Sequence, residues 1–177
     1  MSKEKVPPVG ELHDQAQALA QNRQTLTLAT ARGEAAWAAP VYYLFEPWRF
    51  YFFSDPQSRH IQEALASGRA AGTVHREGRG WQDIEGLQMD GCLVQVTGMR
   101  ELARLLTAYF QKYPFTGDLL KNGLNVDWQV VDAPLFLRRF KVKLYAFQPS
   151  RVLYLNNSIR FGFRTEIPLP QQAGSVG

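Results

Sequence analysis

The sequence has a single cysteine, Cys92, among 177 residues, so no disulfide bond can form within the chain. This cysteine usage fits a reducing compartment. The longest apolar-leaning stretch, AAWAAPVYYLF at 35–45, is too short to cross a bilayer and contains a proline. The N-terminal MSKEKVPPVGE has no apolar core of the kind that a secretion signal requires. We therefore expect a cytoplasmic protein that does not bind a membrane.

Motifs that would identify common catalytic sites are also missing. The histidines His13, His60 and His75 show no H-x-x-x-H spacing, which argues against a metal site. The chain has neither a G-x-S-x-G nucleophile elbow nor a P-loop. Cys92 lies in an apolar, strand-like segment, where a buried and unreactive thiol is the commoner case. If the protein is an enzyme, we expect a bound cofactor to supply its chemistry.

The composition that remains is that of an ordinary globular protein, with 45% apolar, 20% charged and 12% aromatic residues. The length predicts one domain, which we place at residues 1–165, with a flexible lead at 1–9 and a flexible tail at 166–177. The net charge of +4 mildly favours anionic ligands and falls short of a nucleic-acid-binding signature.

Hydrophobic periodicity predicts the helices and strands. Helical spacing of apolar residues predicts helices at 11–22 and 99–113, and a third helix would run from Asp55 to a stop at Gly68. Strands are predicted at 25–31, 35–45, 48–54, 69–75 and 81–98, with two more, separated at Pro149–Ser150, within 134–157. Gly86 and Gly91 indicate a bulge or bend in the strand at 81–98. This order predicts a mainly β fold, a compact antiparallel barrel with a few helices.

The segment YFFSDPQSRH at 51–60 has the features of an anion-binding turn. Asp55 is a good N-cap residue, and Pro56 suits the first position of a helix. The helix start would offer unpaired N–H groups, and Arg59 would add a cation with forked donors. Hydroxyl and imidazole donors would come from Ser54, Ser58 and His60. This combination suits a phosphate monoester, although an ordinary surface helix with a solvated arginine would show the same residues.

The wider sequence resembles a known family. The turn, the following AGTVH, the strand IEGLQMDG and the helix AYFQKYPFTGDL resemble, in that order, the FMN-binding split-barrel superfamily of pyridoxamine 5′-phosphate oxidase-like proteins. The resemblance covers roughly residues 12–165. It implies a split β-barrel of the FMN-binding type with about six antiparallel strands. It places the FMN phosphate on five residues of the turn: Phe53, Ser54, Ser58, Arg59 and His60.

The resemblance also implies where the rest of a flavin would bind. Backbone groups beside the isoalloxazine ring would come from a strand segment consisting of Pro40, Val41, Tyr42 and Tyr43. Gln82 and Gln88 would hydrogen-bond to the pyrimidine edge or the ribityl chain. Since family members form two FMN sites across a homodimer, a homodimer is implied, with Trp81 and Trp128 in the pocket or the dimer contact. Taken alone, the aromatic residues would be read as core and the glutamines as outward-facing strand residues.

Departures from the oxidase itself concern its substrate-phosphate donors. The oxidase's lysine falls on Tyr43 or Leu44, its arginine on Tyr113 and its serine on Gly117, while its tyrosine is retained as Tyr109. The resemblance therefore implies an uncharacterised branch that oxidises pyridoxamine 5′-phosphate poorly.

Three functions remain open at this stage. The first is an FMN-dependent oxidoreductase with a small-molecule substrate, and the second is a flavin-binding or flavin-storing protein without turnover. The third is a basic barrel that binds nucleic acid through RRFKVK, in which Arg139, Lys141 and Lys143 would alternate along a strand. We do not expect this third function, because alternating cations usually form a solvated strand face. A deazaflavin is an alternative to FMN within the superfamily.

Overall fold

The computed structural model describes residues 6–116 and 133–170, which form helices and strands around one sheet. In chain order these elements are α1 (Val9–Asn22), β1 (Thr25–Arg32), β2 (Ala35–Tyr42), β3 (Leu44–Glu46), β4 (Arg49–Ser54), α2 (Arg59–Ser67), β5 (Ala70–Arg76), a 3₁₀ turn (Trp81–Asp83), β6 (Glu85–Gln95), α3 (Met99–Lys112), α4 (Ala133–Phe140), β7 (Lys143–Asn156) and β8 (Arg164–Glu166). Gly117, Trp128, and parts of the expected lead and tail lie outside the described residues.

The strands form a curled antiparallel sheet in the order β2-β1-β5-β6-β7-β4-β3, with β8 added beside β7. This is the mainly β, split-barrel architecture that the sequence predicted. The described residues contain eight strands rather than about six. One reason is that the predicted strand at 35–45 is interrupted at Tyr43, which sends β2 and β3 to opposite edges of the sheet.

The helix predictions at 11–22 and 99–113 are confirmed within two residues. Each helix buries one apolar stripe against the sheet. In α1 the buried residues are Leu12, Ala16, Leu19 and Ala20. In α3 they are Leu102, Leu105, Leu106, Tyr109 and Phe110. The 3.6-residue period that predicted these helices is therefore the period of their packing faces.

The sequence prediction for 134–142 was wrong, because this segment is mostly helical. Phe136, Leu137 and Phe140 have helical spacing and pack with α3 in a common apolar cluster. Lys141 ends the helix with a left-handed φ of 52°. The alternating basic strand proposed for nucleic acid is therefore absent from the described residues, since Arg139 is helical and Lys143 begins β7.

The predicted separation of two strands at Pro149–Ser150 is instead a bulge within the continuous strand β7. Gly91 of β6 pairs with Pro149, while its neighbour Asp90 pairs with Arg151, so Ser150 has no partner in the register. The Ser150 hydroxyl donates to the Asp90 carboxylate at 2.9 Å. The bulge lets two long strands bend together around the barrel.

Two hydrophobic cores lie on the two faces of β4. Phe50 and Phe52 belong to the first core, which α1 and α2 cover. Tyr51 belongs to the second core, against which Phe53 packs and which α3 covers. Since side chains alternate along a strand, a single aromatic run fills both cores. No helix in the described part of the chain has the length and hydropathy that crossing a bilayer requires.

Gly91→Ala tests the close approach at the bulge. A Cβ at Gly91 would lie 2.1 Å from the Gln148 carbonyl oxygen and 2.8 Å from Pro149 Cα, both of which are backbone atoms. We expect this substitution to lower the free energy of unfolding by about 2–3 kcal/mol. Gly80→Ala is the control, because open space surrounds that position, and its effect should stay within about 0.5 kcal/mol. Urea denaturation of both variants gives the comparison, and equal effects would contradict the close approach.

Candidate functional site

The turn between β4 and α2 is organised by Asp55, but not as a helix N-cap. The Asp55 carboxylate accepts a hydrogen bond from Gln57 N at 2.7 Å, and its carbonyl accepts one from Ser58 N at 3.0 Å. The side chain thus closes a local turn, which competes with helix formation. As a result, the predictions for Asp55 as N-cap and Pro56 as first helical residue were wrong. Ser58 is the N-cap residue and Arg59 begins the helix.

Two hydroxyls and one imidazole meet at this turn. Ser54 Oγ lies 2.9 Å from His60 Nε2, and Ser58 Oγ lies 3.3 Å from the same nitrogen. The two hydroxyl oxygens are 3.2 Å apart. Burial lowers the pKa of His60, so its imidazole is neutral at pH 7. His60 is therefore a hydrogen-bonding partner of the serines and not a source of positive charge.

Unpaired backbone donors adjoin this cluster. The helix hydrogen-bond ladder begins with Gln62 N, which donates to Ser58 O at 3.1 Å. The N–H groups of Arg59, His60 and Ile61 precede that bond, as in any α-helix. They give the start of α2 a partial positive charge.

Arg59 is held in place by a buried carboxylate and an aromatic ring. Its Nε donates to Glu63 Oε1 at 2.7 Å, and its guanidinium carbon lies 4.8 Å from the centre of the Trp37 ring. The other Glu63 oxygen accepts a 2.7 Å bond from Thr30 Oγ1, and Glu63 is 4% exposed. Bonds from Thr30 and then Arg59 hold the pKa of Glu63 below its usual value. Glu63 thus fixes and partly balances the charge of Arg59, while the terminal amino groups of Arg59 have no partner among the described residues.

Other residues predicted for the site are placed elsewhere. Phe53 packs edge-on against Tyr109, with ring centres 5.0 Å apart, on the opposite face of β4 from Ser54. Tyr43 is fully buried, and its hydroxyl donates to Ala20 O at 2.5 Å. The backbone groups of Tyr43 are also engaged, because its N–H donates to Gln24 O and its carbonyl accepts from Tyr113 Oη at 2.6 Å.

The remaining predicted residues lie on or near the outer face of the sheet. Pro40 and Gln88 are exposed and lie in one row, linked by the register Pro40–Thr27–Thr73–Gln88. Three strand spacings separate them, about 14 Å. The residues beside them have other surroundings. Val41 packs on the first core, Tyr42 contacts Tyr113 and Phe115, and Gln82 is exposed in the 3₁₀ turn. In a single chain, therefore, the predicted residues that meet are Ser54, Ser58 and His60, and Arg59 adjoins them as the first residue of α2.

The sequence pattern did not reveal two further groups of contacts. Trp37 and Glu63 contact Arg59, and Thr30 binds Glu63; the i,i+4 spacing of Arg59 and Glu63, which is that of a helical ion pair, is the one sequence signal of this group. Lys112 donates to the carbonyls of Arg23 and Tyr43, each at 3.0 Å, and burial lowers its pKa to about 8. Backbone acceptors so distant in sequence leave no signal in the residue pattern. The described residues contain no group of His, Cys, Asp or Glu side chains that could hold a metal ion.

No family model matches the chain, but curated sequences resemble it. A UPF0306 protein of Klebsiella pneumoniae subsp. pneumoniae is 22% identical over 142 residues, covering 79% of this chain and 82% of that protein. A UPF0306 protein of Cronobacter sakazakii is 32% identical over 94 residues, covering 52% of this chain and 65% of that protein.

Solved structures resemble the fold. A candidate pyridoxamine 5′-phosphate oxidase of Listeria innocua has a TM-score of 0.60 at 14% identity, covering 82% of this chain and 98% of its own. A FAD-binding protein of Mesorhizobium loti has a TM-score of 0.57 at 16% identity, covering 78% of this chain and 89% of its own. HutZ, the heme storage protein of Vibrio cholerae, has a TM-score of 0.58 at 13% identity, covering 80% of this chain and 92% of its own. These likenesses show that the chain has the split-barrel fold.

Glu63→Gln tests the charge on the buried carboxylate. A lowered pKa means that the unfolded chain binds this proton more readily than the folded protein does. The stabilisation is therefore present above the usual glutamate pKa of 4.5 and is lost as the pH falls through the lowered value. We expect the variant to be less stable than the parent at pH 7, with the difference shrinking below pH 4.5.

Chemical denaturation at a series of pH values measures this difference. Glu34→Gln, at an exposed position in the first hairpin, is the matched control. A Glu63→Gln penalty that stays constant down to pH 3 would show that folding does not lower the pKa of Glu63.

Proposed function

We propose that this protein binds FMN and acts as an FMN-dependent oxidoreductase on a small-molecule substrate. The observation that carries the proposal is the meeting of Ser54, Ser58 and His60 at the start of α2, where the first helical N–H groups lie and where Arg59 is the first helical residue. Phosphate monoesters bind to such helix starts because backbone donors and the helix dipole act together. Support comes also from structural neighbours that include a FAD-binding protein and a candidate pyridoxamine 5′-phosphate oxidase.

The residues present fit a phosphate group, with less positive charge than the sequence suggested. Ser54 supplies a hydroxyl, and the terminal amino groups of Arg59 are available among the described residues. The Ser58 hydroxyl donates to the Asp55 carbonyl at 2.8 Å and would have to turn from it to donate to a phosphate. Glu63 balances part of the Arg59 charge, and the His60 imidazole is neutral. Phosphate binding would therefore depend on hydrogen bonds and on the helix dipole more than on net charge.

FMN, when bound, supplies hydride transfer through its isoalloxazine ring. The chain would hold the phosphate with Ser54, Ser58, Arg59 and His60. Pro40–Tyr43, Gln82 and Gln88 are the residues proposed to contact the rest of the flavin. Phe53 would support the turn from the second core. The side chains would bind, orient and exclude water, and no described residue is required as an acid or base.

The substrate is not expected to be pyridoxamine 5′-phosphate. Tyr113, which replaces the oxidase's arginine, donates its hydroxyl to the carbonyls of Gln24 and Tyr43. Tyr43 is buried, and its hydroxyl donates to Ala20 O. The hydroxyls of Tyr43 and Tyr113 are thus already engaged in the fold, so neither offers a donor that a second phosphate would need.

A second candidate function is cofactor binding or storage without turnover. Its support is the structural likeness to HutZ, the heme storage protein. An absorbance spectrum of the purified protein, with mass analysis of any released chromophore, separates FMN from a deazaflavin and from heme. Steady-state oxidation of reduced donors then separates an oxidoreductase from a storage protein.

Arg59→Ala tests the phosphate assignment. We expect FMN affinity to fall by about 1.5–3 kcal/mol, or roughly 10- to 150-fold, the range for a charge-assisted hydrogen bond. Riboflavin, which has no phosphate, should bind the variant and the parent equally well. Titration of the apoprotein with both ligands measures the two effects. An equal loss for both ligands would show that Arg59 does not contact the phosphate.

The double variant Arg59→Ala/Glu63→Gln is the control for this measurement. It removes the carboxylate that Arg59→Ala alone would leave buried without its ion-pair partner. If the double variant recovers full FMN affinity, the loss in the single variant comes from distortion around Glu63 and not from a missing phosphate contact.

We also propose that two copies of the chain complete the flavin sites. The edge strand β2 is exposed or half-buried along its whole length, with Trp37 43% and Tyr42 42% exposed. An apolar edge strand of this kind is normally covered by another chain. A two-fold partner would cover β2 and the row that holds Pro40 and Gln88.

Ala38→Arg on β2 tests the shared site. The charge should separate the dimer, and FMN affinity should fall with it, whereas Ala103→Arg on the exposed side of α3 should change neither property. Analytical ultracentrifugation at several dilutions, followed at a flavin absorbance wavelength, measures both effects. A monomer of 20.1 kDa that keeps its flavin tightly bound would overturn the proposal.

A further inference from the structure

A groove of about 530 Å³ lies between the end of β6 and the start of β7. It adjoins the turn that carries the serine cluster, because Pro56 of that turn lines it and Lys143, which also lines it, pairs with Ser54. Its apolar surface is formed by Val96, Leu102, Leu137, Val142 and Leu144. Leu102 and Leu144 are buried members of the second core, whereas Ser54 follows Phe50 and Phe52 on the first-core side of β4. The volume lies within the range of small-molecule sites, which are mostly apolar with a few placed polar groups.

The charge around this groove has one sign. Arg138, Lys141 and Lys143 line it, and none of the described residues that line it is acidic. Among the described residues none of these three cations forms an ion pair, and Lys143 Nζ has a 3.4 Å contact with Gln95 Oε1. Unpaired cations beside an apolar surface favour an anionic ligand, because low-dielectric walls strengthen the field.

The backbone fixes Lys141 at the border of the groove. Its φ of 52° is left-handed, and Val142 N donates to Leu137 O at 3.1 Å to close the end of α4. Glycine or asparagine is the usual residue in this conformation, and a lysine is strained there. Strained residues are frequent at binding sites, where the side chain has a function that the strain accompanies.

We propose that this groove binds a single-chain anionic amphiphile, such as a medium-chain fatty acid. The alkyl chain lies over Val96, Leu102 and Leu144, and the anionic head group contacts Arg138 and Lys141. None of Ser54, Ser58, Arg59 and His60 lines the groove, although Pro56 of the same turn does, so the proposed ligand contacts differ from those proposed for the FMN phosphate.

Fluorescence titration of the full-length protein with dansyl-undecanoate tests the proposal. We expect saturable binding, with the neutral methyl ester of the probe binding at least about tenfold more weakly, because the ester lacks the charge that the cations contact. Dodecanoate and dodecyl phosphate should displace the probe, since both carry an anionic head group, and dodecanol should not. Comparison of the two anions distinguishes a carboxylate from a phosphate ligand.

Variants locate the binding. Lys141→Asn removes the charge while keeping a residue that tolerates the left-handed backbone, and should weaken binding about fivefold. Thr97→Trp, at an exposed position that lines the groove, should fill it and abolish binding of acid and ester alike. Met99→Trp does the same from a second exposed position. Arg100→Gln removes a neighbouring cation that does not line the groove, and should leave binding unchanged.

Several results would overturn the proposal. These are the absence of saturable binding, equal affinity for acid and ester, or unchanged binding in both tryptophan variants. Displacement of the probe by a single-stranded oligonucleotide but not by dodecanoate would assign the cations to nucleic acid instead. Circular dichroism of each variant establishes that it is folded before binding is compared.

Discussion

The alternation of side chains along β4 determines where the other parts of this protein can lie. Phe50 and Phe52 enter one core and Tyr51 enters the other, where Phe53 packs against it, so six residues of strand anchor α1 and α2 on one side and α3 on the other. Ser54 continues the first series and brings its hydroxyl to the start of α2. The cationic groove opens beside the second core. The groove and the serine cluster are neighbours at the end of β4, because Lys143, which lines the groove, pairs with Ser54.

Local pattern was enough to predict most of the elements, and it failed where two patterns compete. TLTLATA alternates over its whole length, and MRELARLLTAYFQK keeps one apolar face at helical spacing, so each segment fits only one type of secondary structure. PLFLRRFKVKLYAF can be read with either period, and contacts of Phe136 and Phe140 with α3 favour the helix in its first half. The short side chain of Asp55 can accept a hydrogen bond either from a helix N–H, as an N-cap residue does, or from a backbone N–H in a local turn. In the structure it accepts from Gln57 N, which closes the local turn.

In the candidate site, too, the sequence predicts contacts between residues close in the chain and does not predict contacts between distant ones. Ser54, Ser58 and His60 lie within one turn of chain, so their meeting follows from local geometry. Trp37 reaches Arg59 because β2 pairs with β1 in a register that sets Trp37 opposite Thr30, and Thr30 binds Glu63. Registers between strands depend on the whole sheet, so the carboxylate that restrains Arg59 had only its helical spacing as a sequence signal.

The interruption at Tyr43 has a consequence for how the chain is made. It places the β3–β4 hairpin at the edge of the sheet opposite β1 and β2, and the strand that joins β4 to the rest is β7, about ninety residues later. During synthesis the first hairpin and α1 can form early, but β4 cannot take its place until Lys143–Phe147 has left the ribosome. Contacts so distant in sequence make folding slow. Until then Phe50, Phe52 and Phe53 belong to a nascent chain whose aromatic surface a holding chaperone would recognise.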